Sequence, residues 1–233
     1  MTLRLLSAAF LLLAVASPRA LAQNVTVDEN AFRIYLDGQE VGREEFSIRQ
    51  IGPRGQQRMV LRGNVTMEGP AGRTEIAPFM EVQGEKLGVS TYQIKVSGTE
   101  STDVFVRVSG NRYLARILSS AGEQLREFRA GPGSVLLDEG VVHHHYLLNP
   151  FLDEESAVSL TVLVPRGPLQ ERRTLSLVGE EEIRVGGVLV QDARRFHLEG
   201  GDHPRDIWFD SQGRILRLEI PSRSLLAERE TLT

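Results

Sequence analysis

Apolar and polar side chains alternate along most of this chain. Phe32, Ile34 and Leu36 fall on one parity, with Arg33, Tyr35 and Asp37 on the other. Met59, Leu61, Val65 and Met67 likewise oppose Arg62, Asn64, Thr66 and Glu68. Val104, Val106 and Val108 repeat the pattern, as do Val158, Leu160, Val162 and Val164. A period of two sends successive side chains to opposite faces of a sheet, so these runs predict half-buried antiparallel strands. Clusters such as Asp37-Gly38, Gly69-Pro70-Ala71-Gly72, Gly131-Pro132-Gly133, Gly186-Gly187 and Asp210-Ser211-Gln212-Gly213 separate the runs and reverse the chain. The expected fold is all-β with a minor α component. It is an antiparallel up-and-down meander forming a barrel or curved half-barrel, in a single domain over residues 23–233.

Residues 134–155 break the alternation. Leu136, Leu137, Val141, Val142, Tyr146, Leu147, Leu148, Phe151 and Leu152 are too apolar for a surface loop. A short helix over 138–150 competes here with a buried strand, and the helix is favoured. Asp138 would cap it and Asn149-Pro150 would stop it. Leu137, Val141, His145, Leu148 and Leu152 then share one face. A lone apolar helix in a meander belongs against the concave face of the sheet. Any cavity there would be lined by Val141, Tyr146, Leu148 and Phe151, opposite Phe32, Ile34, Met59 and Leu61.

The first 22 residues read as an export signal: Arg4, an apolar run from Leu5 to Ala16, Pro18, and a small-residue cleavage site at Ala20-Leu21-Ala22. The run is too short to span a bilayer, which takes about 20 apolar residues. Cleavage after Ala22 would release a periplasmic protein starting at Gln23, with 25 basic residues against 31 acidic. That acidic balance removes the general electrostatic case for nucleic acid or anionic lipid. The absence of cysteine excludes disulfides, thiolate metal sites, cysteine nucleophiles and a lipidated N-terminal cysteine.

Two segments carry a resemblance. Tyr35-Leu36-Asp37-Gly38-Gln39-Glu40-Val41-Gly42 resembles the opening hairpin of a group of exported bacterial β-proteins of unknown function. The stretch from Asp206 through Ile207, Trp208, Phe209, Asp210 and Gly213 to Glu219 resembles their closing hairpin. That group is similar in architecture to the LolA/LolB-type periplasmic lipoprotein carriers. The resemblance implies a strongly curved sheet wrapped around a greasy interior, and it brings no catalytic residue with it.

Motifs for chemistry are sparse. There is no nucleophile elbow, phosphate-binding glycine loop or zincin motif, and nothing asks for a cofactor. Glu44-Glu45, Glu154-Glu155 and Glu180-Glu181-Glu182 read as solvated edges. Arg172-Arg173 and Arg194-Arg195 read as charges guarding strand edges. Trp208, the sole tryptophan, reads as an apolar anchor on the face opposite Ile207 and Phe209. Among five histidines, His143 and His145 would point the same way on a strand and diverge on a helix, with His203 as a remote third ligand. No third ligand is placed by spacing, so no metal is expected.

The leading functional expectation is therefore non-enzymatic: binding or carrying an apolar small molecule, a lipid or a lipoprotein-like partner in the periplasm. An envelope-assembly scaffold with a filled core, using exposed sheet edges, is the alternative. A metal-dependent enzyme built on His143 and His145 is the third reading.

Overall fold

The computed structural model describes residues 23–53, 56–70, 72–98, 101–153 and 156–232; the expected signal segment lies outside them. Fifteen strands make one sheet. The first eight are β1 (Gln23–Leu36), β2 (Gln39–Gly52), β3 (Arg58–Gly69), β4 (Gly72–Gln83), β5 (Gly88–Ser97), β6 (Thr102–Ser109), β7 (Arg112–Ser119) and β8 (Gly122–Arg129). A short β9 (Ser134–Leu136) precedes a 3₁₀ helix, His143–Phe151. The chain continues through β10 (Val158–Val164), β11 (Leu169–Val185), β12 (Val188–Glu199), β13 (Arg205–Phe209), β14 (Ile215–Ile220) and β15 (Leu225–Arg229).

Consecutive strands pair antiparallel, as the alternation predicts, with two exceptions: β9 runs parallel to β10, and β8 and β9 do not pair with each other. The first and last strands meet mid-sheet, where β1 pairs with β15 and Phe32 stands opposite Arg229. The free edges are β8 and β9, neighbours in sequence. Strand β9 packs against β5 and not beside β8, so the curved sheet rolls over itself and is not closed by hydrogen bonds. The β1–β2 turn shows why the sequence folds this way locally: Asp37 and Gly38 both take positive φ (49° and 76°), the pairing a two-residue hairpin favours.

Inward residues of nearly every strand form one core, with Phe32, Ile34, Leu61, Val65, Tyr92, Val104 and Val106 among them. The 3₁₀ helix lies on the concave face against β3 and β14. It starts later than expected, at His143, and it is 3₁₀ instead of α. Asp138 does not cap it, and Pro150 lies inside it. The helix is buried on almost all sides, through His143, His144, His145, Leu147, Leu148 and Phe151. A second, smaller cluster sits on the opposite face, where Ile183, Val185, Ala193 and Leu216 surround Trp208. Two register shifts in β11, at Leu177/Gly179 and Glu181/Ile183, bend the long β11–β12 hairpin so that it supplies this patch.

Candidate functional site

The interior around the helix is more polar than the pattern suggested. Glu44, read as a solvated edge, projects inward from the middle of β2 and has no exposed surface. Its carboxylate accepts the Val142 amide at 2.6 Å, the His143 amide at 2.9 Å and the His143 ring Nδ1 at 2.6 Å. Sequence-adjacent residues supply no cap, so a residue 98 positions upstream satisfies the orphan N–H groups at the helix start. The His143 ring stacks on Phe46 at 5.7 Å, and Phe46 stacks on Phe32 at 5.1 Å.

The neighbouring histidines have separate partners. His144 Nδ1 accepts the Asp138 amide at 3.3 Å. His145 Nδ1 donates to the Val142 carbonyl at 2.9 Å. Burial pushes His144 well below the ordinary histidine range and takes His145 down to about 3. Asp138 accepts the Tyr92 hydroxyl at 2.7 Å and lies 3.1 Å from Arg166. Burial raises the Tyr92 hydroxyl and the Asp138 carboxyl alike. Arg205, itself buried, reaches Glu139 at 3.2 Å.

These groups hold the helix; they do not form a ligand set. His203, the remote third candidate, bonds Ser222 at 3.1 Å at the surface. Among the described residues, no three His, Asp or Glu side chains are grouped to hold a metal. Val141, Leu148, Phe151, Phe32, Ile34 and Leu61 are all buried in the main core, with Tyr146 and Met59 packed against it half-buried. The space enclosed beside the helix, lined by Ile34, Val141, His145, Leu218 and Ile220, measures about 20 Å³. That is room for about one water.

The basic pairs also differ from expectation, because β11 and β12 are interior strands. Arg173 is buried and bonded to Glu171. Arg194 bonds the Leu152 carbonyl, tying the end of the helix to the sheet. Arg195 and Arg217 lie over the Trp208 ring at 5.1 and 5.7 Å, and the indole N–H donates to Glu181. The anchoring role read for Trp208 therefore operates on the outer face. Where the sheet overlaps itself, an open groove of about 1000 Å³ runs between the end of β8 and strands β10 and β11. Gln170 crosses it: its amide accepts from Arg129 N at 3.1 Å and donates to Arg129 O at 2.6 Å.

The fold has a counterpart. A crystal structure of a β-barrel-like protein of the domain of unknown function DUF1849, from Brucella abortus, matches with a TM-score of 0.52. The match covers 91% of this chain and 96% of that one at 6% identity, so the likeness is one of fold alone. No family model and no curated protein sequence matches this chain. The all-β architecture expected from the alternation is thus shared with a β-barrel-like protein whose function is unknown. No helix among the described residues is long and apolar enough to cross a membrane.

Proposed function

We propose that this chain is a non-enzymatic scaffold of the bacterial envelope, exported through residues 1–22 and working from its outer surfaces. The supporting observation is the occupied concave face: the side chains that would line a hollow belong to the packed core, and the space beside the 3₁₀ helix lined by Ile34, Val141 and His145 is about 20 Å³. A carrier site for a lipid chain takes some 300–1,000 Å³. In this reading the likeness to LolA/LolB-type carriers extends to the curved sheet and stops short of the hollow. An enzymatic role is disfavoured because Glu44, His143, His144 and His145 are buried and committed to holding the helix.

The test is titration of a polarity-sensitive fluorescent fatty acid into folded, delipidated protein. The scaffold reading expects no saturable signal. Saturable micromolar binding at one site per chain would return the apolar-ligand carrier to first place.

A further inference from the structure

Strand β8 is the least protected element of the sheet. Its only ladder is to β7, and its side chains are exposed on both faces apart from half-buried Phe128. Leu125, at its centre, is 74% exposed, the highest value among the large apolar side chains described. Two of the usual edge defences do not operate here: β8 contains no proline, and its pairing with β7 runs from Arg112↔Arg129 to Ser119↔Gly122 without a bulge; its charges, Glu123, Arg126, Glu127 and Arg129, are of both signs.

The direction of its free hydrogen-bonding groups follows from two contacts. Ala130 N donates inward to Asn111 O at 2.8 Å, whereas both backbone groups of Arg129 face outward onto the Gln170 amide. In an antiparallel strand successive residues direct N–H and C=O to opposite sides. Glu123, Leu125 and Glu127 therefore present theirs outward, like Arg129. Gln170 occupies the outermost of the four positions. The three left open are symmetric about Leu125.

We infer that β8 is the docking edge for a second copy of this chain, paired antiparallel about a two-fold axis at Leu125. That axis sets Leu125 against its own mate and Glu123 against Glu127, so all three open positions are matched with none left over. Each narrow pair exchanges two backbone bonds. The exposed leucines cover one another. The carboxylates bring their own counter-charges: Arg116 holds Glu123 through two bonds at 3.0 and 3.1 Å, and Arg112 holds Glu127. Acidic β8 rows thus meet between basic β7 rows, and no carboxylate enters the interface unpaired. A register shifted by two residues towards Arg129 would displace Gln170 and set Arg126 against Arg126. Self-association here rests on the edge geometry and is independent of whether the interior is filled.

Sedimentation velocity over a range of protein concentrations tests it, comparing the parent with Leu125→Pro and Leu125→Lys. Proline at 125 removes an outward N–H that β7 does not use, so circular dichroism should be unchanged. The parent is expected to dimerise reversibly. Leu125→Pro should weaken the dimer about thirtyfold or more, as loss of the two central bonds implies. Leu125→Lys, which opposes two like charges, should also leave monomer. Hydrogen exchange adds a readout that needs no variant: the amides of Glu123, Leu125 and Glu127 should gain protection as concentration rises. A parent that stays monomeric at hundreds of micromolar would overturn the inference. So would a dimer indifferent to both substitutions, or exchange at those three amides that ignores concentration.

Discussion

The His143 ring lies where a side chain on Gly63 would stand: a Cβ built at Gly63 falls 2.6 Å from His143 Cε1 and 3.1 Å from Nδ1. Gly63 occupies an inward position of β3, between Leu61 and Val65. The same Cβ would meet Pro78 of β4 at 3.3 Å. Glycine and a buried proline therefore make the dent in the sheet that seats the histidine. Gly63→Ala should lower stability by about 1–3 kcal/mol, the usual cost of overpacking, despite the entropic gain alanine normally brings. Urea unfolding measures the loss, and an unchanged midpoint would remove the dent from the account.

Glu44 should be worth more than its neighbours on β2. Glu44→Ala leaves two buried N–H groups and the His143 ring without an acceptor, a loss of roughly 3–5 kcal/mol. Glu44→Gln should cost less, since its amide oxygen still accepts, though its NH₂ faces donors. Glu45→Ala, on the exposed face and paired with Arg43, should stay within about 0.5 kcal/mol of the parent. Equal effects of the two alanine variants in urea melts would contradict the remote cap.

Acid should loosen the fold from about pH 6.5 downward, above the ordinary carboxylate range. Buried His144 and His145 have folded pKa values below the unfolded value near 6.5, so the unfolded chain binds their protons more readily. Their contribution is present above about pH 6.5 and is lost as pH falls towards the folded values. By pH 5 the loss is about 2 kcal/mol for His145, and His144 adds to it in the same sense. His197 works in the opposite sense: a hydrogen bond to Asp206 raises it, so its contribution is present below about pH 6.5 and fades as pH rises through its folded value. It is one-third exposed, so solvent screens its pairing and it does not offset the buried pair. His145→Asn keeps a donor for the Val142 carbonyl and should flatten the stability slope between pH 7 and 5, removing about 2 kcal/mol of the loss. An unaltered slope would show that His145 titrates normally.

A buried ion pair holds the β1–β15 junction. Arg229 of β15 meets Asp28 of β1 at 2.9 Å, with further bonds to the carbonyls of Ile215 and Thr231. Arg229→Met leaves the Asp28 carboxylate buried and alone, a cost of about 3–5 kcal/mol, and adding Asp28→Asn should recover part of it. The double-mutant cycle in urea checks this; strict additivity would mean that the pair is not coupled.

Sheet class and helix placement were legible because both rest on side-chain period. Phe32, Ile34, Leu61 and Val106 lie where parity puts them, and the segment without alternation became the element on the concave face. The details that failed depend on contacts distant in sequence. Glu44 looks like any strand-edge acid until β2 and the segment before the helix are brought together. The β1–β15 junction and the gap between β8 and β9 are set by how far the sheet curls, which parity does not encode. One signal was readable afterwards: Gly63 and Pro78 each interrupt an inward apolar series, Leu61 to Val65 and Ile76 to Met80, at the place where the histidine enters.

Whether the protein's own side chains occupy the concave face decides between a scaffold and a carrier. Native mass spectrometry of protein purified from its producing cells without delipidation tests this most directly. The expected species carry the mass of polypeptide starting at Gln23, alone or in multiples, and organic extraction releases nothing stoichiometric from them. A lipid-sized adduct on most chains, lost on extraction, would mean that the helix and sheet part to hold a ligand and that the filled interior described here is wrong.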